Sequence, residues 1–366
     1  MLVLKRRWLP CAFGILVIGG VAGAQSIRIA TWNISQFTGT NRLGDIQTVL
    51  FSSGPVGAMN PDVLLAQEIQ SSSAANAMLG ALNTSQPGAW SVAFGSLTGT
   101  SSTSDTAVFY KSGKVSLADV VKVAPAGGTS GQPRDTWRFD FSILGNANSS
   151  ERIAMYDVHM KSGSSGDDVS RRQIEAQHIR SDSQQLGANY HFLVAGDMNM
   201  QSSSQAPYQT LIAAGAGQFN DPISTPGTWN NNSQFRFVHT QDPSGNGGMD
   251  DRHDQILLSN SLVDGVGTDY VGQFGTAYST STWNDPNHSY RAWGNDGTSY
   301  GQTLTINGNQ MVGSTIAQSI VNAATSAGGH IPVFLDMHYA AVPEPASLAA
   351  LGLGALALAR RRRNRK

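Results

Sequence analysis

Between residues 25 and 341 the sequence contains no cysteine, since the chain's single thiol, Cys11, lies in the leading segment. That excludes disulfides, a thiolate nucleophile and any cysteine-ligated metal from the body of the protein. Glutamate is nearly as scarce: the same span holds Glu68, Glu151 and Glu175 and no others. A carboxylate such as Glu68 at the end of an apolar run is therefore not background. There is no repeat of fixed period, which excludes a solenoid or array. What is abundant is glycine, at 40 residues, together with Ser, Asn and Thr. That composition suits short strands joined by polar loops. Ser71–Ser73, Ser101–Ser104 and Ser202–Ser204 read as loop tracts, too short to separate domains, so residues 25–341 read as one domain.

The two ends have a different character. Lys5, Arg6 and Arg7 precede an apolar run from Trp8 to Val21 and the small residues Ala22, Gly23 and Ala24. This is the layout of a secretory signal peptide over residues 1–24, cut before Gln25. At the other end, Val342-Pro343-Glu344-Pro345 leads into fourteen apolar or small residues, Ala346 to Ala359, and then a cluster running from Arg360 to Lys366. Fourteen helical residues reach about 21 Å, short of the roughly 30 Å hydrocarbon core. Residues 342–366 resemble a PEP-CTERM sorting signal. The resemblance implies transient membrane association through the tail and handling by an exosortase. It places the protein at the envelope, surface or extracellular matrix of a Gram-negative-type bacterium. The end segments carry nine basic residues and one acidic residue, so the remainder holds 15 basic and 24 acidic residues, a formal net charge of −9. Such a balance argues against a broad basic face for duplex nucleic acid.

Within the body, apolar runs repeatedly end in polar residues. Phe192 to Gly196 reads as a strand covered on both faces that runs into Asp197 and Asn199. Ile27 to Asn33 alternates and ends in Asn33, and Val63 to Ala66 runs into Gln67 and Glu68. Ile153 to Val158 leads to His159, Met160 and Lys161. Further strands are expected at Ala89–Phe94, Thr106–Tyr110, Val115–Val123 and Arg134–Ile143, with helices over 42–51 and 169–186. Asp254 opens the strand Gln255–Leu258, and His330 precedes Ile331–Leu335. Residues Gln201–Asp250 and Tyr270–Thr325 carry no readable function, and Tyr290–Gly297 fits a structural loop as well as a substrate lip.

Taken in order, Thr31-Trp32-Asn33, Gln67-Glu68, Tyr156-Asp157-Val158-His159, Gly196-Asp197-Met198-Asn199 and Arg252-His253-Asp254-Gln255-Ile256-Leu257 resemble the endonuclease/exonuclease/phosphatase superfamily, in particular its deoxyribonuclease and abasic-endonuclease branches. The resemblance implies an α+β fold, a four-layer α/β/β/α sandwich of two packed mixed β-sheets flanked by helices. It also implies hydrolysis of a phosphodiester, such as extracellular DNA, with Mg²⁺ or Mn²⁺, hard cations that oxygen ligands hold. By the same resemblance Glu68 and Asn33 are the metal ligands. Asp197 activates water, Asn199 holds a phosphoryl oxygen, and Asp254 fixes the tautomer of His330, while His159 faces the scissile group. Arg134 and Lys161 add positive charge for the substrate. The remaining histidines, His178, His191, His239, His253, His288 and His338, read as packing residues. One departure stands out. The family's last motif pairs an Asp with its His, whereas Gly329 precedes His330 here; the other placement, Asp336-Met337-His338, loses the strand that should follow.

Overall fold

The computed structural model describes residues 24–100, 103–127, 133–324 and 329–342. The signal-peptide reading of residues 1–24, with Cys11, and the Pro-Glu-Pro tail therefore fall almost entirely outside the described residues.

Thirteen strands and five α-helices form among the described residues. The first sheet contains β1 (Ala24–Phe37), β2 (Val63–Ile69), β3 (Trp90–Phe94), β4 (Ala107–Lys111), β11 (Asp269–Tyr270), β12 (Arg291–Ala292) and β13 (Val333–Ala340). Its order is β11-β13-β1-β2-β4-β3, with β12 also pairing with β13. The second sheet runs β5 (Val115–Ala124), β6 (Thr136–Ile143), β7 (Arg152–His159), β8 (Tyr190–Asp197), β10 (Asp254–Ser259) and β9 (Phe219–Asn220). Both sheets are mixed: β1 and β2 are parallel, as are β7 and β8, and their other partners are antiparallel.

Alternation along β1 shows why the sheets stack. Ile27 and Ile29 are buried in the cluster between the two sheets, with Met155, Val194 and Leu335. Ala30, Trp32 and Ile34 face the other way, into a second cluster. That outer cluster is closed by α1 (Leu43–Phe51), α2 (Ser72–Ser85) and α5 (Gly313–Ala323) through residues such as Val49, Met78 and Ile316. Over the second sheet lie α3 (Gly166–Ser183) and α4 (Ala206–Ile212), with Ile179 and Leu211 buried. Helices thus cover both outer faces, giving the expected four layers.

Several elements differ from expectation. Ser71–Ser73 is not a loop: Ser71 caps α2, its hydroxyl accepting from Ala74 N at 3.1 Å. Helix α2 contains Gly, Asn and Thr, poor helix formers, and its buried Ala74, Ala75, Met78 and Leu82 form the stripe that packing holds in place. Helix α5 is likewise absent from the sequence reading, hidden in the loop-rich 270–325 stretch. Tyr290, Trp293 and Asn295 are buried, and Asn295 Nδ2 donates to the carbonyls of Arg236 and His239 at 2.9 and 2.8 Å. That loop is structural.

Candidate active site

Strand polarity collects the polar ends at one edge. Parallel strands end together and antiparallel neighbours begin where they end. Asn33 on β1 lies opposite Gln67 on β2, so Glu68 follows at the same level. His159 on β7 lies opposite Asp197 on β8, and Asp197 lies opposite Asp254 on β10. His330 precedes β13, which runs antiparallel to β1. The two sheets thus deliver Asn33, Glu68 and His330 from one side and His159, Asp197, Asn199 and Asp254 from the other.

Asn33 ties the halves together. Its Nδ2 donates to Glu68 Oε1 at 3.0 Å and to Asp197 Oδ2 at 3.1 Å. Its Oδ1 accepts from Ser35 N at 2.9 Å, which fixes which way the amide faces. Asn33 therefore turns its nitrogen toward the carboxylates and positions them, a different part from the metal ligand that the resemblance implies. Asp197 Oδ2 also stands 3.6 Å from Nε2 of both His159 and His330. Asp197 Oδ1 accepts from Asn199 N at 3.0 Å, and Asn199 Nδ2 donates to Met160 O at 3.0 Å. Behind His330, its Nδ1 pairs with Asp254 Oδ2 at 2.7 Å. This bond decides between the two placements of the last motif. His330 enters the site, whereas His338 lies on β13 opposite Asp269, and Asp336 pairs with Arg28 at 2.7 Å.

The charges separate sharply. Burial would neutralise His330, but the carboxylates of Asp254 and Asp197 outweigh it and raise the imidazole to about 10. His159 goes the other way: burial and the Arg134 guanidinium depress it to about 4, against the pull of Asp197 and Glu68. Burial also pushes the Asp197 carboxyl up, yet His330, His159 and the Asn33 N–H bring it down to about 2. One neutral and one cationic imidazole thus flank an ionised carboxylate, the divergence expected of groups with separate acid and base duties.

These groups line a cavity of about 440 Å³ together with Arg134, Ser162, Gln241 and Gly329. Arg134 Nη1 donates to the carbonyls of His159 and Met160 at 2.8 and 3.1 Å, which holds the guanidinium at the wall. Lys161 does not join it. Its Nζ pairs with Asp168 Oδ1 at 2.9 Å, at the capping box of α3, so the lysine expected at the substrate is turned away. Five lining residues adopt left-handed backbone: Ser35 (φ 46°), Gln36 (49°), Glu68 (61°), Asp105 (47°) and Asn199 (50°). Non-glycine residues held there store strain, which concentrates at functional sites.

Two contributors had escaped the sequence reading. Gln241 Nε2 stands 3.3 Å from His330 Nε2. Nothing in its loop marks it. Glu175, buried on α3, accepts from the backbone N–H of Arg134 at 2.6 Å and of Lys161 at 3.0 Å. Burial raises its carboxyl to about 7. The scarcity of glutamate that singled out Glu68 applied to Glu175 as well, but its mid-helix position hid it.

Glu68 offers hard oxygen to a divalent cation. Oε1 and Oε2 each accept one hydrogen bond, from Asn33 Nδ2 and from Gln36 N at 2.7 Å, and the carboxylate still lines the cavity. No group of three or more His, Cys, Asp or Glu among the described residues is spaced to enclose an ion. The donor set fits Mg²⁺-type binding by one or two carboxylates, with water and phosphate completing the shell, and does not fit an all-protein cage. Gly329 explains part of this. At φ 69°, a Cβ there would lie 2.4 Å from Ala324 Cβ and 2.8 Å from Ala324 Cα. The backbone has no room for the family's aspartate.

No curated protein matches the sequence. Among solved structures, similarity is found to an endonuclease/exonuclease/phosphatase family protein from Bacteroides thetaiotaomicron (13% identity, covering 87% of this chain and 96% of that one, TM-score 0.48). It extends to D. rerio TDP2 complexed with single strand DNA product (11%, 85% and 98%, TM-score 0.48) and to the human Nocturnin catalytic domain with bound sulfate anion (13%, 86% and 94%, TM-score 0.47). The PEP-CTERM protein-sorting motif matches residues 341–363, which marks the protein for export to the cell envelope. The Endonuclease/Exonuclease/phosphatase family matches residues 30–276, a stretch that includes Asn33, Glu68, His159, Asp197, Asn199 and Asp254. The chain belongs to that family of phosphoric ester hydrolases.

Proposed function

We propose that the protein is an exported, metal-dependent phosphodiesterase that hydrolyses its ester in the cavity between the sheet edges. The observation that carries this is the position of Asp197 Oδ2, 3.6 Å from both His159 and His330 and bridged to Glu68 through Asn33. Asp197, ionised and 2% exposed, accepts a proton from the attacking water and orients it toward phosphorus. His330, held cationic by Asp254, offsets the charge that grows on a phosphoryl oxygen and donates a proton as the leaving oxygen departs. Asn199 retains an amide hydrogen for a second phosphoryl oxygen, and Arg134 adds a fixed positive charge. Neutral His159 hydrogen-bonds at the scissile group. Glu68 would hold a Mg²⁺ or Mn²⁺ ion, whose charge would offset that of the phosphate.

A second reading concerns substrate size. Among the described residues Arg134 is the one Lys or Arg that lines the cavity, while Gln36, Gln70, Thr103 and Ser162 supply amides and hydroxyls. With the net charge of −9 over residues 25–341, this favours a small, hydroxyl-rich phosphate ester over extended duplex DNA. Plasmid DNA and bis-p-nitrophenyl phosphate, each with Mg²⁺, Mn²⁺ or EDTA, separate the cases. Cleavage of both supports the nuclease, and turnover of the ester alone supports the small-substrate reading. No metal-dependent turnover of either means that the family fold serves here as a surface or matrix protein without catalysis.

A further inference from the structure

All the chemistry sits at one edge of the sandwich, and the chain leaves from the other. Ala24 pairs with Ala340 across β1 and β13, whereas Asn33 and His330 mark the catalytic ends of the same two strands. Nine residues of extended chain separate Ala24 from Asn33, about 30 Å at roughly 3.3 Å per residue. Past β13, Val342 N donates to Gly145 O at 2.8 Å, fastening the last described residue to the loop between β6 and β7. Exposed apolar side chains gather there: Leu144 at 42%, Val342 at 56% and Val266 at 71%. Thr268, near Val266, bonds to Glu151 and Asn146, which brings its loop beside the same turn.

The sorting motif begins at this edge, at residue 341. Only Pro343, Glu344 and Pro345 separate Val342 from the apolar segment that starts at Ala346. Three residues span at most about 11 Å, and prolines stiffen them further. A tether that short cannot let the domain invert to bring its cavity to the bilayer.

We propose that, while the sorting segment is in place, the domain stands on the membrane by the edge bearing Leu144, Val266 and Val342. Its cavity then opens about 30 Å above the surface, toward the aqueous side. The ester it takes is accordingly a soluble one and not a lipid of its own membrane. Only this last step rests on the phosphoesterase reading; the orientation does not.

The test uses the full chain with Cys11→Ser, reconstituted in phosphatidylcholine/phosphatidylglycerol vesicles. That background has no other thiol, so Val266→Cys or Ser162→Cys at the cavity rim takes a single fluorophore. Energy transfer to headgroup-labelled lipid is expected to be strong from position 266 and several-fold weaker from 162. Equal transfer, or stronger transfer from 162, overturns the orientation. Weak transfer from both, with strong transfer between labelled copies, also overturns it, because the edge then packs on a second copy. In parallel, the vesicle-bound chain should turn over added bis-p-nitrophenyl phosphate within twofold of the detergent-solubilised rate and leave its own phospholipid intact. Faster hydrolysis of that phospholipid overturns the substrate assignment. No turnover of either substrate removes the phosphoesterase reading, and the energy transfer still decides the orientation.

Discussion

Asp254 Oδ2 meets His330 Nδ1 at 2.7 Å, and this bond joins the catalytic edge of one sheet to that of the other. Asp254 opens β10 in the second sheet, and His330 precedes β13 in the first. The pair staples the sandwich at the catalytic edge and, with Asp197, keeps the imidazole cationic.

Replacing Asp254 by Asn keeps the shape and removes the charge that most raises His330. The folded imidazole then loses its proton at lower pH. The expected result is a kcat lower by on the order of 10²-fold, with the alkaline limb of the pH–rate profile moved toward acid. An unshifted limb would show that His330 is not the titrating acid.

Glu68 lines the cavity, and each of its carboxylate oxygens accepts a single hydrogen bond, from Asn33 Nδ2 and from Gln36 N. Glu68→Gln should raise the Mg²⁺ or Mn²⁺ concentration for half-maximal activity by at least about tenfold, because hard cations depend on ligand charge. Metal titration of the rate reads this directly. An unchanged half-saturation point moves the ion elsewhere.

Restoring the family's aspartate should fail. Gly329→Asp puts a side chain on left-handed backbone and drives its Cβ into Ala324. We expect a loss of about 1–3 kcal/mol in denaturant unfolding and no gain in metal affinity. A variant as stable as the parent with tighter metal binding would contradict the cavity geometry.

Across the sheet interface Gln67 Nε2 donates to Asp157 Oδ1 at 2.6 Å, while Gln67 Oε1 and Asp157 Oδ2 are buried without partners. Burial drives the Asp157 carboxyl well above its ordinary range. A protonated acid can close a second bond to the free amide oxygen. Unfolded Asp157 ionises near pH 4 whereas the folded group keeps its proton, so stability falls as pH rises from there to the folded pKa, by about 1.4 kcal/mol per unit. Asp157→Asn keeps both bonds without the proton, so its unfolding free energy should drop less between pH 5 and pH 8. Parallel pH dependences would show that Asp157 is already ionised.

How much of this was legible in the sequence follows from how far each signal reaches. Asn33, His159, Asp197 and Asp254 were readable because each closes or opens an apolar run, and strand ends converge by topology alone. Lys161 was misjudged for the opposite reason: position brought it to the edge, but Asp168, seven residues on at a helix cap, captured its ammonium. Asn33 lay where expected, yet which amide atom faces inward depends on the Ser35 N–H, a detail of a left-handed turn. Gln241 and Glu175 act through long-range contacts that no local pattern encodes. Helices α2 and α5 form from weak helix formers because the outer face of the first sheet covers their apolar stripes.

In the proposed reaction Asp197, between His159 and His330, carries the hydrolysis. Turnover of bis-p-nitrophenyl phosphate by the parent and by Asp197→Asn, each with Mn²⁺ or EDTA, tests it most directly. We expect metal-stimulated turnover by the parent, a rate lower by about 10²-fold or more for the variant, and matching circular dichroism for both. An Asp197→Asn variant as active as the parent would contradict it.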